Sequence, residues 1–131
     1  LELVSGGHSR RCFTSLGDAV RPLELVLDNP EALRNQIVNV GNPANETTIR
    51  DLAAMMLELY RRDYDAEADS PLVEVPGEVF YGPGYEDCDR RLPDISKLTA
   101  LGWAPAVGLE ETFARSMRYF HDNREALEAT L

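Results

Sequence analysis

One stretch concentrates side chains able to do chemistry. Residues 81–93 read YGPGYEDCDRRLP. Arg90 and Arg91 offer planar forks suited to a carboxylate or a phosphate. Asp87 and Asp89 are placed to orient those forks. Tyr81 and Tyr85 present flat faces with a hydroxyl tip, and Gly82 and Gly84 let the backbone turn tightly or approach a ligand. The chemistry such a set supports is recognition of a small anion. The same residues also suit a solvated loop whose charges pair with one another, and pattern alone favours that plainer reading.

Composition narrows the partner. The chain has 131 residues, 44% hydrophobic and 27% charged, which suits one soluble domain with a modest core. A formal charge of −10 argues against a nucleic-acid backbone as partner, because that binding needs a basic surface. It leaves room for a small phosphorylated ligand held by a few local arginines. No apolar run approaches the ~18 residues of a membrane span. Cys12 and Cys88 sit singly, without metal-ligand spacing, and read as reduced thiols of a cytoplasmic protein. His8 and His121 are too far apart to suggest a zinc site. The N-terminus, LELVSGGHSRRC, has no signal-peptide layout and enters mid-pattern, as a fragment would.

The elements that must position these residues are short. Leu1–Val4, Arg11–Leu16, Gln36–Val40 and Leu72–Val75 are the strand candidates, with a turn at Ser5–Gly7. Asp18 is the expected N-cap of a helix whose apolar stripe is Ala19, Val20, Leu23, Val26 and Leu27, with Pro22 in its first turn. Thr48 and Asp51 make a capping pair before the longest helix. Ile49, Leu52, Ala53, Met56, Leu59 and Tyr60 mark that helix's buried face. Asp94 caps a short helix over Ile95–Leu101, Gly102 ends it, and Trp103 is expected to plug a core. A last helix spans Leu109–His121. The fold class is α+β, with no glycine-rich dinucleotide turn, no nucleophile elbow and no Tyr-x-x-x-Lys pair.

Three stretches carry a resemblance. RCFTSLGDAV (11–20), NVGNPANETTIRDLAAMM (39–56) and YGPGYEDCDRRLPDISKLTALGWAP (81–105) resemble the C-terminal half of an extended short-chain dehydrogenase/reductase, the NAD-dependent epimerase/dehydratase family. DISKLTALGWAP is the pattern shared widely in that family. The preceding YGPGYEDCDRRLP is narrower and is similar to the branch containing the UDP-glucuronate decarboxylases of polymyxin resistance and the UDP-apiose/UDP-xylose synthases.

The resemblance implies that residues 1–131 are the nucleotide-sugar substrate-binding domain of a longer enzyme, with the Rossmann half absent. NAD would be bound by the missing N-terminal half, and the full-length protein would form a homodimer. Arg91 matches the family's decarboxylation arginine. Tyr85 matches a substrate-binding tyrosine, and Arg11 and Ser9 fall where the family contacts the uridine diphosphate. Asp87 would hold Arg91 in place, or would simply be solvated. The implied activity is NAD-dependent oxidation of UDP-glucuronate at C4, then loss of carbon dioxide to a UDP-pentose or UDP-4-keto-pentose, or the related UDP-apiose/UDP-xylose synthase reaction. The alternatives are another nucleotide-sugar epimerase or dehydratase, or a stand-alone binding module without catalysis.

Overall fold

The computed structural model describes residues 1–84 and 86–128. Its strands are β1 (Glu2–Val4), β2 (Arg10–Cys12), β3 (Glu46–Thr48) and β4 (Val73–Val75). Its helices are α1 (Leu16–Asp28), α2 (Pro30–Leu33), α3 (Ile49–Asp63), α4 (Gly77–Tyr81), α5 (Ser96–Ala100), α6 (Leu109–Asp122) and α7 (Arg124–Glu128). Two small sheets result. β1 and β4 pair in parallel with Leu3 opposite Glu74, while β2 and β3 pair antiparallel with Arg10 opposite Thr48 and Cys12 opposite Glu46. A single parallel bridge joins Arg10 to Arg90 and brings the 87–93 loop alongside β2.

On the face predicted for α3, Leu52 and Leu59 are buried and Ile49, Ala53 and Met56 half-buried, while Tyr60 is exposed; α3 packs against α6. The Thr48 hydroxyl accepts from the Asp51 amide at 3.0 Å and donates to the Asp51 carboxylate at 2.7 Å, closing the first turn of α3. Phe13, just after β2, meets Phe113 of α6 edge-on at 5.2 Å. Leu98 of α5 and Trp103 complete the core. Gly102 takes φ of +86° between them, the left-handed backbone that ends α5 and turns the indole inward. The indole N–H has no hydrogen-bond partner among the described residues, a cost of about 1–3 kcal/mol.

Some ends shift: β2 covers Arg10–Cys12 rather than Arg11–Leu16, and α5 has Ile95 rather than Asp94 at its N-cap, with Asp94 accepting from the Ser96 amide at 2.9 Å. Two larger expectations change. First, α1 begins at Leu16, because Ser15 rather than Asp18 caps it: the Ser15 Oγ accepts from the Asp18 amide at 3.1 Å. Pro22 then lies inside the helix and denies the Asp18 carbonyl its donor. Asp18 instead reaches across the fold. Its Oδ2 accepts from the amides of Ala106 and Val107 at 3.0 and 2.9 Å. Burial pushes this carboxyl up, but those two amides, the Ser15 hydroxyl and Arg21 outweigh it and hold it below the usual carboxylate range.

Second, residues 36–40 form no strand. Their β-branched residues favour a strand only where a neighbouring strand accepts it, and among the described residues none pairs with it. Ile37 is left 86% exposed. The apolar stripe of α1 is bare as well, with Leu16, Val20, Leu23 and Leu27 all facing solvent.

Asn42 and Asn45, both buried, explain the GNPAN turn. Each donates its side-chain amide to the Val107 carbonyl, at 3.1 and 3.0 Å. The Val107 peptide is thus held on its N–H side by Asp18 and on its C=O side by two asparagines. Next to this turn, a Cβ on Gly41 would stand 2.5 Å from the Pro93 ring, so only glycine allows the 87–93 loop to lie against it.

No helix is long and apolar enough to cross a membrane among the described residues.

Candidate anion-binding cleft

A cleft of about 390 Å³ opens between the end of β1, β2, the start of α3, the end of α4 and the 87–93 loop. Ser9, Arg11, Tyr81, Asp87 and Arg91 are among its lining residues. Four of the five site residues expected from sequence therefore meet in one place. The fifth, Tyr85, lies outside the described residues.

Strand geometry does the sorting. Successive side chains on extended backbone point to opposite faces, and cross-strand partners share a face. Arg10 and Arg11 are adjacent on β2, and Arg90 and Arg91 are adjacent on the bridged loop. On one face Arg90 donates from Nε and Nη2 to Glu46 at 2.6 and 3.1 Å, and Arg10 reaches the same carboxylate at 3.4 Å. On the other face, Arg11 Nη2 meets both Asp87 oxygens at 2.7 Å, and Ser9 donates to Asp87 at 3.1 Å.

The charges respond in the same two groups. The Glu46 carboxyl is held down to about 2, first by the hydrogen bond from Arg90 against the opposing effect of desolvation, with Arg10 assisting. Partial burial pushes Asp87 up. The Ser9 hydroxyl, the Cys88 amide, Arg11 and Arg91 outweigh it and leave the carboxyl below its ordinary range.

Arg11 and Arg91 play different parts. Arg11 Nη1 donates to the carbonyls of Arg10 and Cys88 at 2.8 and 2.7 Å, and its Nη2 is given to Asp87. Both terminal nitrogens are thus committed inside the chain, which leaves Nε for a ligand. Arg11 chiefly braces the loop. The Asp87 carboxylate, weighed from sequence as a holder for Arg91, hydrogen-bonds Arg11 and Ser9. Arg91 acts on it only through charge.

Arg91 is held by its backbone, whose amide donates to the Arg10 carbonyl at 3.3 Å. Its guanidinium is exposed and makes no hydrogen bond or ion pair with another described residue. It lines this cleft and also a second, open groove of about 820 Å³ that runs between residues 38–41 and 90–94. An uncommitted planar cation at the junction of two hollows is what a carboxylate or phosphate requires.

Sequence reasoning missed Glu46, Asn42 and Asn45. Apart from the Ala44 amide that the Asn42 side chain caps, the partners of these polar side chains lie 36 to 65 residues away, and no local signal marks them. The described residues hold no cluster of His, Cys, Asp or Glu able to bind a metal ion.

Comparison with known proteins agrees with the motif resemblance. No protein-family model matches the chain. It is 40% identical over 131 residues to the UDP-D-apiose/UDP-D-xylose synthase of Oryza sativa subsp. japonica, covering 98% of this chain and 33% of that protein. It is 42% identical over 123 residues to UDP-D-apiose/UDP-D-xylose synthase 1 of Arabidopsis thaliana, covering 92% and 32%. Among solved structures, the PbgP3 protein of Burkholderia pseudomallei superposes with a TM-score of 0.75 at 29% identity, over 92% of this chain and 34% of that one. The UDP-glucuronic acid 4-epimerase of Bacillus cereus, solved with NAD, shares the fold with a TM-score of 0.62 at 17% identity, over 87% and 32%.

The chain is thus similar in sequence to UDP-apiose/UDP-xylose synthases and in fold to the PbgP3 protein. The chain spans about a third of the length of the curated relatives it matches.

Proposed function

We propose that the chain is the nucleotide-sugar-binding portion of an NAD-dependent enzyme that decarboxylates UDP-glucuronate, either a UDP-glucuronate decarboxylase or a UDP-apiose/UDP-xylose synthase. The observation that carries this reading is the Arg91 guanidinium, which makes no hydrogen bond or ion pair with a described residue and lines a cleft with Ser9, Arg11 and Asp87. The 40% identity to an apiose/xylose synthase supports it.

Binding of the cofactor belongs outside these residues. Among the described residues the one parallel strand pair is three residues long, and β1 runs into the 3₁₀ turn Ser5–Gly7 rather than a glycine-rich turn opening a helix, which supports placing the cofactor on another part of a longer protein. NAD, held by an N-terminal Rossmann half, would take up the hydride from C4 of the sugar. A homodimer of the longer protein is part of the same proposal.

Within the cleft, Arg91 binds the C6 carboxylate of the sugar as a planar fork and orients it for loss of carbon dioxide. The carboxylate gives up its charge as the C5–C6 bond breaks, and electron density moves toward the C4 ketone. Once paired with the carboxylate, the guanidinium stays beside the charge as it moves toward the ketone. Arg11, braced by Asp87, keeps the loop at a fixed distance from β2 and offers Nε toward the diphosphate. Ser9 and Tyr85 complete the nucleotide-sugar contacts.

The test uses the full-length protein with NAD and UDP-glucuronate. Arg91→Ala is expected to slow carbon dioxide release by roughly 10²–10³ while NAD binding persists. Undiminished turnover in that variant would overturn the assignment.

A further inference from the structure

Two Arg-Arg pairs lie side by side, Arg10-Arg11 on β2 and Arg90-Arg91 on the loop bridged to it. Four guanidiniums so close have several ways to share two carboxylates. If Arg90 turned toward Asp87, Arg91 would turn away from the cleft, because neighbouring side chains on extended backbone alternate. The side that each arginine takes therefore decides whether the cleft holds a free cation.

We propose that Glu46 is the positioning residue that makes this choice, by holding Arg90 on the far face and so turning Arg91 into the cleft. This deepens the function proposed above and rests on it.

Three observations carry it. Glu46 stands opposite Cys12 on the antiparallel pair, so its side chain shares a face with Cys12 and Arg10 rather than with Arg11. Its carboxylate takes two hydrogen bonds from Arg90, at 2.6 and 3.1 Å, while its own side chain is only 12% exposed. Arg90, by contrast, is 57% exposed and makes no other side-chain hydrogen bond to a described residue, so Glu46 is the side chain that fixes where its guanidinium points.

The backbone transmits the choice. The Arg10 amide donates to the Asp89 carbonyl at 2.7 Å, and the Arg91 amide donates to the Arg10 carbonyl at 3.3 Å. These two bonds straddle Arg90 and keep it extended. With Arg90 pinned on one side, residue 91 faces the other. The sequence gains selectivity without any contact between Glu46 and ligand: the carboxylate that sets the cleft's charge lies on the face away from it.

The readout is preference for an acid sugar. Affinities of the full-length protein for UDP-glucuronate, UDP-glucose and UDP are measured by calorimetry for the wild type, Glu46→Gln, Arg90→Met and Arg91→Ala. Glu46→Gln is expected to lower the UDP-glucuronate over UDP-glucose preference about tenfold and to leave UDP affinity within about twofold. Arg90→Met, at an exposed position, is expected to do the same and covers the case in which Glu46→Gln fails to fold. Combining the two substitutions is expected to add little to either. A preference lost in Arg91→Ala but kept in Glu46→Gln or in Arg90→Met overturns the positioning role alone. Equal losses for all three ligands overturn it too, since they indicate a general structural effect. A preference untouched by Arg91→Ala overturns the reading of the cleft itself, and this inference with it.

Discussion

Helices α1 and α3 carry apolar stripes of similar regularity, yet their fates differ. The stripe of α3 is covered: Leu52 and Leu59 are buried and α6 lies against the helix. The stripe of α1 is open, with Leu16 and Leu27 each 80% exposed. What holds α1 in place is polar: the Ser15 cap and the Asp18 bonds to Ala106 and Val107. An amphipathic pattern states that a face is made to be covered. It does not state that this chain supplies the cover.

Three tests break or sharpen that contrast. The largest effect is expected at Leu59, where truncation to alanine removes a buried side chain and should cost about 2–5 kcal/mol in chemical denaturation. A loss under 1 kcal/mol would mean that the α3–α6 seam is not the main source of stability.

A middle effect is expected at Asp18. Replacement by alanine leaves two amides without their acceptor and should cost about 1–3 kcal/mol. The same group makes α1 acid-sensitive. Its carboxyl is depressed in the folded state, so its contribution is present above the ordinary value of 3.8 and is lost as pH falls through the lower folded value. Hydrogen exchange measured while acidifying below pH 3.8 should therefore loosen α1 before α3. Simultaneous loosening of both helices would remove the distinction.

The smallest effect belongs to Leu23, which is 63% exposed. Leu23→Ala should change the stability of this chain by no more than about 0.5 kcal/mol. A large loss would show that something covers α1 in solution.

The same contrast explains what could be read from the sequence. Local signals carried α3 and α6, the Thr48 cap, the Gly102 turn and the buried Trp103, because caps and helical stripes depend on residues a few positions apart. The 36–40 strand was misread because β pairing needs a partner strand, and the β-branched Ile37, Val38 and Val40 express only readiness for one. The start of α1 shifted because Ser15 and Asp18 are both good caps, and tertiary bonds to residues 106 and 107 took Asp18.

At the cleft, residue types and the family resemblance named Ser9, Arg11, Asp87 and Arg91, and the fold brings them together. Which acid serves which arginine was not legible. Arg11 and Asp87 are 76 positions apart, and the assignment follows from strand register. Glu46 carried no signal of its own for the same reason.

The doubly gripped peptide at Val107 has an evolutionary corollary. Asp18, Asn42 and Asn45 all take hold of main-chain atoms, so they are indifferent to which side chains positions 106 and 107 bear. Substitutions there should drift freely among descendants, with proline the exception, since it has no N–H to offer. In this part of the chain, invariance would be concentrated in the three residues that do the gripping, and variability at the site they grip would be no sign that it is dispensable.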